Sequence, residues 1–226
     1  MVDFARVQNR IYYGYGKAAK RLGTSHSIYR SANGIDPITS PNLLGTQLIS
    51  VDADLNFDRA RKYGDMTWEF MPEDGLGTTL FALQNYDYMV GAQTTYFIAD
   101  IAADARLSPP LCVECNSVIS ISSPTASLTP GANTYQQYQK GSGTERLRSC
   151  PAAILQYSGG SKEVTLKLPT SCKLPFYQVT LPDFDDVIIA AGDILTDDEN
   201  RTMIIVSAER TKRVLGFRLI AAQLGT

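Results

Sequence analysis

The hydrophobic pattern opens with a helix. Phe4, Val7, Ile11, Tyr15, Ala18 and Leu22 follow one another at steps of three or four, and at 100° per residue they share about an 80° sector. Arg6, Arg10, Lys17, Lys20 and Arg21 fill a separate sector about 100° wide. Basic residues in the last turn suit the negative pole of the helix dipole, and Gly23 stands where a C-terminal stop is expected. The spacing predicts a two-faced docking helix over 2–22. Gly14 and Gly16 interrupt it, each at a cost of about 1 kcal/mol relative to alanine, so packing must hold it.

After Gly23 the period shortens to that of strands. Ser27–Arg30, Thr46–Leu55 (with a shift of phase that suggests a bulge), Thr67–Met71, Thr79–Leu83, Tyr86–Val90, Thr94–Ile101 and Leu111–Ser122 read as strands parted by Gly, Pro and Asp turns; Asn56–Tyr63 could add one helical turn. The stretch 123–149 is rich in Ser, Thr, Gly and Gln and reads as a loop or connector. It is either a surface loop or an arm that orders on a neighbour through Tyr135 and Tyr138. Strand patterns resume at Ala153–Tyr157 and Glu163–Leu168 around a Gly159–Gly160 hairpin, then at Phe176–Leu181, Val187–Ala190, Asp193–Thr196, Arg201–Ser207 and Gly216–Leu224. Arg201–Ser207 echoes Thr95–Asp100, an echo too short by itself to make a duplication. The fold class expected is mainly β, an N-terminal helix followed by antiparallel barrel or sandwich units. The expected parts are a docking helix (1–23), a β domain (24–122), a polar connector (123–149) and a second β unit (150–226).

Charge sharpens the helix. Residues 1–30 carry a net +5 and the remainder −7, within a chain of net −2. A basic element on an acidic body suggests contact with nucleic acid or with another copy of the chain. The near-neutral whole argues against a general nucleic-acid binder. Charged residues make up only 19%, which suits a protein that buries surface against neighbours. No apolar run reaches membrane-spanning length, and Asp3, Arg6 and Arg10 break any signal-peptide core, so a soluble protein made in a cytoplasm is expected.

Three segments carry a family resemblance. They are Ala191–Asp198 with Arg201–Glu209 and Leu215–Leu219; Tyr96–Ala99 through Leu107, Pro110–Val113 and Asn116; and Asp3–Ala5 to Gly23. Together they resemble tailed-bacteriophage morphogenesis proteins over about half of the chain. The Gly-Asp, strand, acidic turn, strand unit is similar to the small β-barrels of phage head–tail adaptor and stopper proteins. The resemblance implies a virion component of the neck, collar or tail, assembled in the bacterial host, and it implies no catalytic residue.

Sites of chemistry are few. Cys112 and Cys115 make a C-x-x-C, but within a strand residues three apart point to opposite faces, so a shared zinc ion is not expected. A hairpin turning at Gly159–Gly160 would bring Cys150 and Cys172 together at its open end, which suggests a disulfide; two unrelated thiols are the alternative. Asp197–Asn200 could ligate calcium but reads better as a hairpin turn. A nucleophilic triad would have to use His26, the single histidine, which reads as a turn residue. Asp183, Asp185, Asp186, Glu69 and Glu73 offer carboxylates only in turn-like settings. No catalytic residue, cofactor or metal is therefore expected.

Two function classes follow, with a cell-wall hydrolase a distant third. The first is a structural virion protein that oligomerises at the neck or head–tail junction. Its helix would meet copies of itself or neighbouring virion proteins, with non-specific contact to packaged DNA a further option. The second is a receptor- or glycan-binding β module of a fibre or spike, with Trp68 and Tyr86–Tyr88 as a sugar-binding shelf.

Overall fold

The computed structural model of the chain describes residues 4–52, 67–73, 82–101, 110–124, 143–157, 172–211 and 216–224. Among these described residues, helix α1 (Phe4–Leu22) leads into twelve strands: β1 (Thr24–Tyr29), β2 (Leu43–Asp52), β3 (Thr67–Pro72), β4 (Tyr88–Val90), β5 (Thr95–Asp100), β6 (Leu111–Cys115), β7 (Ser117–Ser123), β8 (Thr144–Gln156), β9 (Cys172–Leu181), β10 (Ile194–Asp197), β11 (Thr202–Thr211) and β12 (Gly216–Leu224). They close into two antiparallel barrels, β1–β2–β3–β6–β5–β4 and β7–β8–β9–β12–β11–β10. Closure pairs every strand on both sides and removes the open edges that invite aggregation.

Alternation along the strands fills each barrel. Ile28, Ile49, Phe70, Met89, Tyr96, Ile98 and Cys112 form the interior of the first. In the second, facing pairs such as Leu195 with Ile121 and Met203, Ala221 with Ile205, and Leu219 with Val179 set the inward row. The opposite face of β4–β5–β6 is also apolar. Tyr88, Phe97 and Val113 stand side by side across these strands and merge with the core of the second barrel. The Tyr88 hydroxyl reaches the second barrel, donating to the Pro151 carbonyl at 3.0 Å and lying 3.1 Å from Cys150 Sγ.

A strap completes the joint. Between β1 and β2 the chain crosses to β8, where Arg148 N donates to Gly34 O at 3.0 Å and Asp36 N to Arg148 O at 2.9 Å. Arg148 also binds the Asp36 carboxylate, and Ile38 packs on the joint core.

The two barrels have the same connectivity. In each the order is first, second, third, sixth, fifth, fourth strand. The likeness continues at single residues. Tyr86 (φ 75°) and Gly192 (φ 98°) both precede the fourth strand in the left-handed region. Each is followed by a buried aspartate, Asp87 or Asp193. The Asp87 carboxylate accepts from Gln84 N at 2.8 Å and the Asp193 carboxylate from Ala190 N at 2.9 Å. The ladder slips at Ala99 in β5 and at Val206 in β11, the same position of the fifth strand. Thr95–Asp100 and Arg201–Ser207, which echo each other in sequence, thus lie in equivalent strands.

Several boundaries differ from expectation. Leu111–Ser122 is two strands, because the Asn116 side chain pairs with both backbone groups of Ile154 and hands the chain to the second barrel. The first barrel therefore ends at Cys115 rather than Ser122, and β8 begins at Thr144 rather than after 149. Val187–Ala190 is not a strand, since the Asp193 carboxylate holds Ala190 in a turn. From Thr46 to Asp52 β2 keeps its register, with Gln47 and Ile49 buried and Val51 packed on the same core; its bulge lies earlier, at Leu44, where Ile28 faces Gly45 and Tyr29 faces Leu43. The Asn56–Tyr63 turn, most of Thr79–Leu83, Glu163–Leu168, Gly159–Gly160, Tyr135 and Tyr138 lie outside the described residues.

The strap gives a direct test of the joint. A Cβ on buried Gly34 would overlap Leu147 Cδ2, and Leu147 is itself fully buried. Gly34→Val is expected to cost about 1–3 kcal/mol, read as a lower midpoint in denaturant unfolding.

Candidate assembly surface on the N-terminal helix

α1 packs on β2 and β3 of the first barrel. The side it buries is neither of the two faces legible in its sequence. Gly16 and Ala19 are buried and Tyr12 is half-buried, on a sector about 100° from the centre of the apolar stripe. Gly16 is therefore a packing residue. Gly23 is one as well: its N–H closes the helix on Ala19 O at 2.8 Å, and a Cβ there would lie 2.9 Å from the Ile49 carbonyl carbon. Close approach of helix end to strand requires glycine at this point, rather than a left-handed cap.

The apolar stripe is left facing outward. Val7 is 40% exposed, Tyr15 45% and Leu22 79%; Ala18 is exposed and Ile11 half-buried. The Phe4 backbone begins the helix, but its side chain is outside the described residues. Arg6, Arg10, Lys17, Lys20 and Arg21 are all exposed, and Lys17 Nζ sits over the Tyr13 ring at 4.6 Å. The helix thus has three faces: a small-residue face on the barrel, an apolar face in solvent and a basic face beside it. Sequence reading missed the first, and the i, i+3 pair of Gly16 and Ala19 was its available signal.

Several of the other candidates are occupied by structural work. His26 is not a turn residue. It lies in β1 opposite Gln47, buried, with Nδ1 3.0 Å from Thr24 O and its ring 6.1 Å from that of Tyr96. Gly91 closes on Nε2, where a Cβ would come to 2.9 Å. Burial pushes the His26 pKa down, and the hydrogen bond to Thr24 only partly offsets this. Asp183 is paired with Arg210, and Glu73 accepts from Leu48 N. The Asp197–Asn200 segment is a hairpin turn. Asp197 binds the Arg201 guanidinium and its backbone N–H, and Asp198 accepts from Ser117.

Cys112 packs inside the first barrel and Cys115 against the joint core, on opposite sides of β6. Cys150 is a free, buried thiol whose pKa burial pushes up to about 12. The expected Cys150–Cys172 disulfide is corrected by the register of β8 and β9. Ala153 faces Thr180 and Gln156 faces Tyr177, so Cys150 continues past the Leu181 end of β9, whereas Cys172 is that strand's first residue. The expected aromatic shelf is likewise dispersed. Tyr88 is fully buried at the joint, and Trp68 packs against the first barrel's core.

No protein-family model, curated protein or solved structure matches the chain. Among the described residues no helix is long and apolar enough to cross a membrane.

His26 supplies a pH test. Its folded pKa is below the ordinary 6.5, so the unfolded chain takes up the proton first as the pH falls. The stability that neutral His26 contributes is complete above pH 6.5 and declines as the pH drops through 6.5 toward the lower folded value. Thermal melts over this window are expected to show a falling midpoint, with a shallower slope in His26→Gln. Equal slopes would contradict the assignment.

Proposed function

We propose that the chain is a structural virion protein of a tailed bacteriophage, oligomerising at the neck, collar or head–tail junction. The observation that carries this reading is α1. It is anchored to the first barrel by one face while its apolar stripe is kept in solvent beside five cations. Burial of each large apolar side chain in that stripe is worth about 1.5–3 kcal/mol, a gain open to a protein partner. The neighbouring cations orient that partner and speed its arrival.

The likeness of three sequence segments to phage morphogenesis proteins supplies the setting. Copies of the chain and adjacent virion proteins are the partners in this reading. Packaged DNA is a secondary one, met through phosphate charge without sequence readout. This reading assigns no catalytic residue: His26 lies in the barrel interior, Asp183 pairs with Arg210 and Glu73 accepts from Leu48 N.

The test is replacement of Arg6, Arg10, Lys17, Lys20 and Arg21 by Gln. All five are exposed, so the barrels should melt as in the parent chain. Incorporation into particles is expected to fall sharply. Normal incorporation of the folded variant would contradict the role of the basic face.

A further inference from the structure

The exposed face of α1 carries a hole. Ile11, Gly14, Tyr15 and Ala18 stand at i, i+3, i+4 and i+7, the four positions that surround a knob inserted from a facing element. Gly14 makes the depression, since a Cβ added there would meet nothing within 4 Å. An exposed helical glycine weakens α1 relative to alanine, and nothing among the described residues uses the space it leaves. Arg10 and Arg21 border the hole on the basic side.

The second barrel carries a matching knob. In the connection from β9 to β10, Ile188 is 68% exposed between buried Val187 and Ile189. The loop that lifts it is fixed: Phe184 is buried, Val187 N donates to Phe184 O at 3.1 Å, and the Asp193 carboxylate holds Ala190. Asp185 and Asp186 are exposed beside the knob. Hole and knob are thus opposite in shape and in charge. Both are exposed in the same chain, so they are not in contact with each other within one copy.

We infer that α1 of one copy receives the Ile188 loop of a second copy, with Ile188 seated over Gly14 and Ala18 and with Asp185 and Asp186 against Arg10 and Arg21. The contact joins different surfaces on the two copies. Repeated, it is head-to-tail and closes into a ring or runs on as a filament. The rigid loop needs little ordering on binding, and α1 gains the packing that Gly14 withholds. This inference rests on the assembly reading above and names its surfaces.

Sedimentation of the purified full-length chain over a wide concentration range tests it. The parent chain is expected to self-associate, less so at high salt. Gly14→Leu fills open space without a clash and should leave the melting temperature equal or higher, yet weaken association about tenfold or more. Ile188→Asp, at a solvent-facing position, should do the same. Arg10→Glu with Arg21→Glu, and Asp185→Lys with Asp186→Lys, should each abolish association alone and restore it when the two variant chains are mixed. A monomeric parent chain would overturn the contact, as would parent-like association of both Gly14→Leu and Ile188→Asp, or failure of mixing to restore association. Parent association with no effect of the variants would place assembly on another surface and leave the functional reading standing. That reading falls separately, on normal particle incorporation of the five-glutamine variant.

Discussion

The outer face of β4–β5–β6 is the constraint on which the structure depends. Tyr88, Phe97 and Val113 form an apolar row on the side of these strands opposite the first barrel's interior. A closed barrel cannot bury such a row by itself, because only its inner face is dry. The second barrel covers it, and the Tyr88 hydroxyl finds its partners there at Pro151 and Cys150. Once this joint is made, the strap through Gly34 and Asp36 has a fixed strand to pair with. The barrels then offer α1 a firm bed on β2 and β3. Rigidity in the body is what allows one helix to hold an apolar face in water without collapsing onto it.

One construction solves the folding problem twice. In both barrels a residue in the left-handed region turns the chain, a buried aspartate pins that turn, and a slipped residue in the fifth strand bends it toward closure. The left-handed site takes Gly192 in one barrel and Tyr86 in the other, and a tyrosine there carries a backbone cost that glycine does not. Arg30 reinforces the tyrosine version, since its guanidinium grips both oxygens of Asp87 at 2.7 Å and also donates to Ala82 O. Where the turn residue is unfavourable, a partly buried ion pair fixes the aspartate that holds the turn.

Period-based reading found the elements and missed the contacts between them. α1 and most strands were legible because their apolar spacing is local. The division at Asn116 was not, because two strands in succession look like one and the break is made by a hydrogen-bonded pair with Ile154, distant in sequence. The β8–β9 register pairs residues far apart in sequence, Ala153 with Thr180 and Gln156 with Tyr177, and this register removes the disulfide expectation. His26 looks like a turn residue in the sequence because β1 begins directly after the helix, with Gly23 as the entire connection. For the candidate surface, both sectors of α1 were visible in the sequence. The face that holds the helix to the barrel was not, since glycine and alanine carry little hydrophobic signal. The Ile188 loop is hidden too, because Val187–Ala190 alternates like a strand.

These features describe a body held by an internal apolar joint and a helix with an apolar face in solvent, which we propose is covered by a neighbouring copy. Electron microscopy of the assembled wild-type protein tests that claim most directly, by locating α1. The account predicts continuous density between α1 of each copy and the second barrel of its neighbour, with Tyr15 and Leu22 out of solvent. An assembly in which α1 lies on the free surface, with no neighbour touching its apolar face, would contradict it.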